Sequence, residues 1–112
     1  MEIKASTIVE NPKDTVVEGV ITNLEIMSWS EKLKDYPKRL EKFDKPEEKN
    51  VFINFECVHK EVKFKGEQSI SYSETPLVTS ALGKLLYKYG DLSPGTKVRI
   101  DYNLDGKGKL RP

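Results

Sequence analysis

The stretch SALGKLLYKYGDLSPGTKVRIDY (residues 80–102) holds a helix, a stop and a strand within very few residues. Pro76 starts a helical turn with Thr75 as its cap, and Leu82, Leu85, Leu86 and Tyr89 then recur at helical spacing. Gly90 ends the helix in a left-handed cap position. After the turn at Ser93-Pro94-Gly95, Val98, Ile100 and Tyr102 alternate with Lys97, Arg99 and Asp101, the pattern of a half-buried strand. One apolar helical face therefore sits in a chain whose other apolar stretches read as strands.

Those other stretches lie on both sides. TVVEGVITNLEIMSW (15–29) is rich in β-branched residues and predicts a long first strand. Val17, Gly19 and Ile21 share one parity and Val20, Thr22, Leu24 and Ile26 the other, so the strand switches faces and coils at a bulge. VFINFECVHK (51–60) predicts a second strand, with Val51, Ile53, Phe55 and Cys57 inward and Phe52, Asn54, Glu56 and Val58 outward. A third strand carries Val62, Phe64, Ile70 and Tyr72 on one parity, with Lys63 and Lys65 facing away. Lys65-Gly66 is the expected hairpin turn, with a turn near His59 as the alternative. Asp105-Gly106 begins a hairpin into a short fifth strand from Lys109, whose place residues 3–9 would otherwise take.

Between the first two strands, residues 28–50 form a long charged loop with two prolines and one short helix from Pro37 to Phe43. Its charge density, with no sustained apolar face, predicts a segment more mobile than the rest. The order is thus strand, long loop, strand, strand, helix, strand and a stub of a fifth. That is an all-β chain with one helix between strands three and four, the order of an OB-fold Greek-key barrel whose helix plugs an open end. Residues 1–112 have the length of one such domain.

Composition narrows the function. Nineteen Lys and Arg face eighteen Asp and Glu, so no whole-molecule field announces a polyanion and any electrostatic site is local. Basic residues do gather around Lys60, Lys63 and Lys65 and from Lys97 onward, whereas residues 1–27 are acidic. The single cysteine, Cys57, excludes an internal disulfide and fits a reducing, cytoplasmic setting. No apolar run has signal-peptide or bilayer-spanning length, so a soluble protein is expected. One third of the residues are charged and Gln occurs once, a bias of heat-adapted proteins. His59 is the only histidine, so neither a Ser-His-acid arrangement nor a His-rich metal site can be assembled, and no cofactor or enzymatic activity is expected.

Ser80-Ala81-Leu82-Gly83-Lys84-Leu85-Leu86, preceded by Ser71-Tyr72-Ser73, resembles the helix start of small OB-fold, single-stranded-DNA-binding-like proteins of phages, archaeal viruses and plasmids. The likeness covers most of residues 15–104 in element order. It implies a barrel that engages single-stranded nucleic acid, DNA before RNA, across strands two and three and their flanking loops. It also implies an archaeal or viral setting, replication or repair proteins as partners, and a homodimer. Such binding needs flat rings for bases and cations for phosphates. The candidate rings are Trp29, Tyr36, Phe43 and Phe52, and the candidate phosphate contacts are Lys38, Arg39, Lys60, Lys63, Lys65, Lys97 and Arg99. The competing expectation is a protein-interaction adaptor built on the same barrel.

Overall fold

A computed structural model describes residues 1–7, 15–59, 61–102 and 108–112. Five strands, β1 (Thr15–Ser28), β2 (Lys49–His59), β3 (Val62–Ser71), β4 (Lys97–Tyr102) and β5 (Gly108–Leu110), form one sheet in the order β3-β2-β1-β4-β5. Every pairing is antiparallel. The two edges nearly meet: the backbone N–H of Leu110 in β5 donates to Oε1 of Gln68 in β3 at 2.7 Å. The sheet is a nearly closed, barrel-like layer, which leaves few unpaired strand edges to water.

β1 is shared by both halves. Residues 15–20 pair with β4 and residues 19–28 with β2, so Gly19 faces Cys57 on one side and Val98 on the other. A Cβ at Gly19 would lie 2.4 Å from Ile100 Cδ1 and 2.8 Å from the Glu56 carbonyl oxygen, so only glycine fits. The register shifts between Ile21 and Asn23, which is the bulge expected from the parity change. Val17, Ile21 and Leu24 consequently all face the core, and Val20 lies on the outer face opposite Glu56 and Lys97. The turn at residues 93–96 satisfies the backbone beside the bulge: Gly95 N–H donates to the Ile21 carbonyl at 2.8 Å and Ile21 N–H to the Thr96 carbonyl at 3.0 Å.

The β2–β3 ladder runs up to the His59–Val62 pair, so the hairpin turn follows His59, the alternative position, and not Lys65-Gly66; Glu61 takes a positive φ of 65°. Its register sets Cys57 against Phe64 and Val51 against Ile70, which puts both apolar sets on one face. Gly66 serves packing instead of a turn. It pairs with Phe55, and a Cβ there would lie 2.6 Å from that ring.

The helix that follows β3, α3 (Ala81–Tyr89), begins later than expected from Thr75 and Pro76. Ser80 is its cap: the hydroxyl accepts from Gly83 N–H at 3.0 Å and donates to the Leu77 carbonyl at 2.6 Å. That carbonyl would sit 1.8 Å from a Cβ at Gly83, so the Ser-Ala-Leu-Gly run is a capping and close-approach device. Leu82 and Leu85 enter the core, with Leu86 and Tyr89 partly buried beside it. Gly90 has the expected positive φ of 74°, but its ψ of −147° lies outside the left-handed helical region.

The β1–β2 connector holds two short helices: α2 (Pro37–Leu40) is the expected one, shorter than the helix expected to reach Phe43, whereas α1 (Trp29–Lys32), capped by Ser28, which therefore ends β1, is an addition. Among the described residues α3 is the longest helix. The fifth strand comes from the C-terminal tail. Ala5–Thr7 form a 3-10 turn, not an edge strand, while residues 8–9, Lys60 and the Asp105-Gly106 hairpin lie outside the described residues. Among the described residues no helix is long and apolar enough to cross a membrane.

At the core, the Cys57 thiol donates to the Tyr102 hydroxyl at 2.9 Å. Burial, with the hydrogen-bonded Cys57 beside it, raises the Tyr102 phenol well above its usual 10.0. Above that value the folded chain holds a proton that the unfolded chain releases, so stability falls as pH rises past the usual phenol value. Tyr102→Phe removes this contribution, and its denaturant midpoint should decline less between about pH 9 and pH 11 than that of the parent. Equal declines would remove Tyr102 as a source of alkaline sensitivity. Because the Phe55 ring is 1% exposed and has nowhere to go, Gly66→Ala should lower unfolding free energy by about 1–3 kcal/mol, measured by denaturation.

Candidate nucleic-acid interface

Strand alternation sends Phe52, Asn54, Glu56 and Val58 of β2 to the outer face. Their neighbours there are Ser69, Glu67, Lys65 and Lys63 on β3, and Glu25, Asn23 and Val20 on β1. Lys97 and Arg99 continue the face on β4, opposite Val20 and Glu18.

The end near Phe52 is covered. Trp29 meets Phe52 edge to face at 4.9 Å between centroids, and Phe43 stacks on Trp29 at 4.5 Å and 23°. Lys32 Nζ stands 4.8 Å from the Phe52 centroid and pairs with Glu67 at 3.1 Å and Glu25 at 4.0 Å, spanning from β1 to β3. Leu33 is buried and Ser30 N–H donates to the Pro46 carbonyl at 3.0 Å. Phe52 is therefore 1% exposed and offers no surface to a base. Trp29 and Phe43 hold the connector down on β2, and their rings are engaged with each other. Parity identified the face of Phe52, but a connector that folds back over that face leaves no local trace in β2.

Of the four candidate rings, Tyr36 alone is largely open, at 58% exposure, with the Arg39 guanidinium 5.8 Å from its centroid. Lys38 and Arg39 are exposed on α2 with it. This small group is separate from the residues that meet at the other end of the sheet.

There the outer face is open and concave. A cleft of about 530 Å³ is lined by Val20, Val58 and Tyr89, with Glu18, Glu56, Lys63, Lys97 and Arg99 around it. Lys63 and Lys65 flank the Glu56 carboxylate at 3.4 and 3.5 Å, in ion pairs whose lysines are 63% and 75% exposed. Such pairs exchange readily with water or an incoming anion, being worth about 0–1 kcal/mol. Lys97 and Arg99 make no side-chain ion pair among the described residues. Lys65 also borders an adjoining hollow with Thr22, Asn54 and Gly66.

Tyr89 is the residue that sequence reasoning placed only on the apolar helix face. Its hydroxyl accepts from Arg99 N–H at 3.1 Å and donates to the Arg111 carbonyl, which fixes its ring at the wall of the cleft. A tyrosine where the helix repeat asks only for an apolar residue is the available signal, since a half-buried phenol needs a partner. Glu18 and Glu56 were likewise missed; they make the cleft mixed in charge.

Comparison with protein-family models, with curated proteins and with solved structures finds no match.

Phe43→Ala uncovers one face of Trp29, the only tryptophan. The ring pair contributes about 0.5–1.5 kcal/mol beyond its buried area, so the variant should unfold more readily and its tryptophan emission should shift to the red. Unchanged emission would show that Phe43 does not cover Trp29.

Proposed function

We propose that the sheet is an OB-type Greek-key barrel and that its open outer face binds single-stranded nucleic acid, DNA before RNA, without chemistry and with little sequence preference. The strand order, with β1 between β2 and β4, and the chain position of α3 after β3 are those of such a barrel. The observation that carries the binding reading is the convergence of cations from distant parts of the chain. Lys63 and Lys65 from the tip half of β3, and Lys97 and Arg99 from β4, border one cleft or its adjoining hollow. Its apolar lining of Val20, Val58 and the Tyr89 ring suits base faces, while the cations suit phosphates.

The covered state of Phe52, Trp29 and Phe43 moves the proposed contact away from the connector. Glu18 and Glu56 within the cleft favour weak, salt-sensitive binding over tight binding. Tyr36 with Lys38 and Arg39 would meet only a strand that runs on past the cleft.

Anisotropy of a labelled oligothymidylate, titrated at several salt concentrations, tests this reading. Each lost phosphate contact should reduce the slope of log affinity against log salt by about 0.7. Lys97→Glu with Arg99→Glu should therefore flatten the slope and weaken binding, and Trp29 emission should stay constant during the titration. Absence of salt-sensitive binding to DNA or RNA at micromolar protein would overturn the proposal.

A further inference from the structure

We infer that the outward face of α3 is a docking surface for an acidic segment of a partner protein that carries apolar anchor residues. It is distinct from the cleft described above and stands independently of it. Val78 and Tyr87, which meet at one hollow, are 61% and 84% exposed, and Leu77 next to Val78 in the chain is 73% exposed, an unusual amount of large apolar side chain to leave in water around a short helix. Val78 and Tyr87 border a shallow hollow of about 440 Å³ together with Lys84, Lys88 and Pro112.

The hollow is held in shape by the helix cap. Ser80 N–H and Oγ both donate to the Leu77 carbonyl, at 2.9 and 2.6 Å, and Gly83 admits that carbonyl against the helix. Residues 77–80 are thus fixed beside the first turn of α3, and Lys88 is steadied by a 3.1 Å hydrogen bond to the Pro112 carbonyl. A preformed apolar hollow loses little entropy when it is filled.

Charge decides the chemistry of the occupant. Lys84 and Lys88, one helical turn apart, flank Tyr87, and α3 has no acidic residue. Glu74 and Asp91, which precede and follow the helix, line a different hollow with Ile26 and Leu86. Among the described residues no Asp or Glu lines this hollow, so the face presents Lys84 and Lys88 around an apolar centre, with Lys88 also bonded to the Pro112 oxygen. Its complement is a segment with an aromatic or aliphatic anchor for the hollow and carboxylates on either side for the lysines.

The test uses amide NMR spectra of the full chain, titrated with a synthetic peptide of alternating Asp and Leu around one Phe. A peptide with Lys in place of Asp and phosphatidylserine vesicles serve as the other arms. The acidic peptide should shift residues 77–78 and 84–88, with a Kd of about 10–100 μM. Tyr87→Ala, and separately Lys84→Glu with Lys88→Glu, should each weaken it about tenfold, as loss of a central anchor does. Lys34→Glu, on the connector, should not. These substitutions are at exposed positions, and an unchanged melting temperature confirms that the fold is retained. No shift at about 1 mM peptide, equal binding of the lysine peptide, or shifts confined to other residues would overturn the inference. Vesicle binding that depends on Tyr87, without peptide binding, would overturn it in favour of a lipid contact.

Discussion

One phenyl ring lies where the two edges of the sheet meet. Phe55, in the middle of β2, packs beneath Gly66 of β3 and Gly108 of β5, strands at opposite ends of the sheet order. A Cβ at Gly108 would fall 3.3 Å from the Phe55 ring and 2.8 Å from Ile100, so both edges approach the same interior through glycine. The Gln68 side chain then accepts from Leu110 N–H in place of a backbone ladder. Closure thus rests on packing and one side-chain bond, with no continuous strand pairing at the seam among the described residues.

Curvature on the other side of the ring has a matching cause. Gly19 lets β1 serve two partners at one point, and the bulge after Ile21 turns the strand so that Leu24 continues the core. β1 pairs with β2 on one side and β4 on the other, and β2 carries β3, so side chains from β3 and β4 border the same outer cleft. The cations there owe their proximity to this pairing. Residues 63 and 99 are remote in sequence, and no local preference brings them together.

The connector between β1 and β2 divides the outer face. A flat exposed ring on a strand is costly to leave in water, and α1 removes that cost by laying Trp29 and Lys32 over Phe52. What remains open is the half whose side chains are charged or aliphatic. The chain therefore presents two different surfaces: a mixed-charge cleft on the sheet, and an apolar, cationic hollow on the helix.

The sequence by itself determined what depends on nearest neighbours along the chain. Alternation placed Val51, Ile53, Phe55 and Cys57 inward, the parity change in β1 marked its bulge, and the leucine spacing of α3 identified its buried face. Each follows from the two-residue or 3.6-residue repeat of an element, which local residues set. Tertiary structure alone decided the rest. The hairpin turn lies beyond the His59–Val62 pair and not at Gly66, where a ring across the sheet fills the glycine's space. Phe52 became buried and Tyr89 became a wall of the cleft because segments distant in sequence packed against them. Exposure and convergence are properties of what lies across from a residue, and a local pattern does not contain that neighbour.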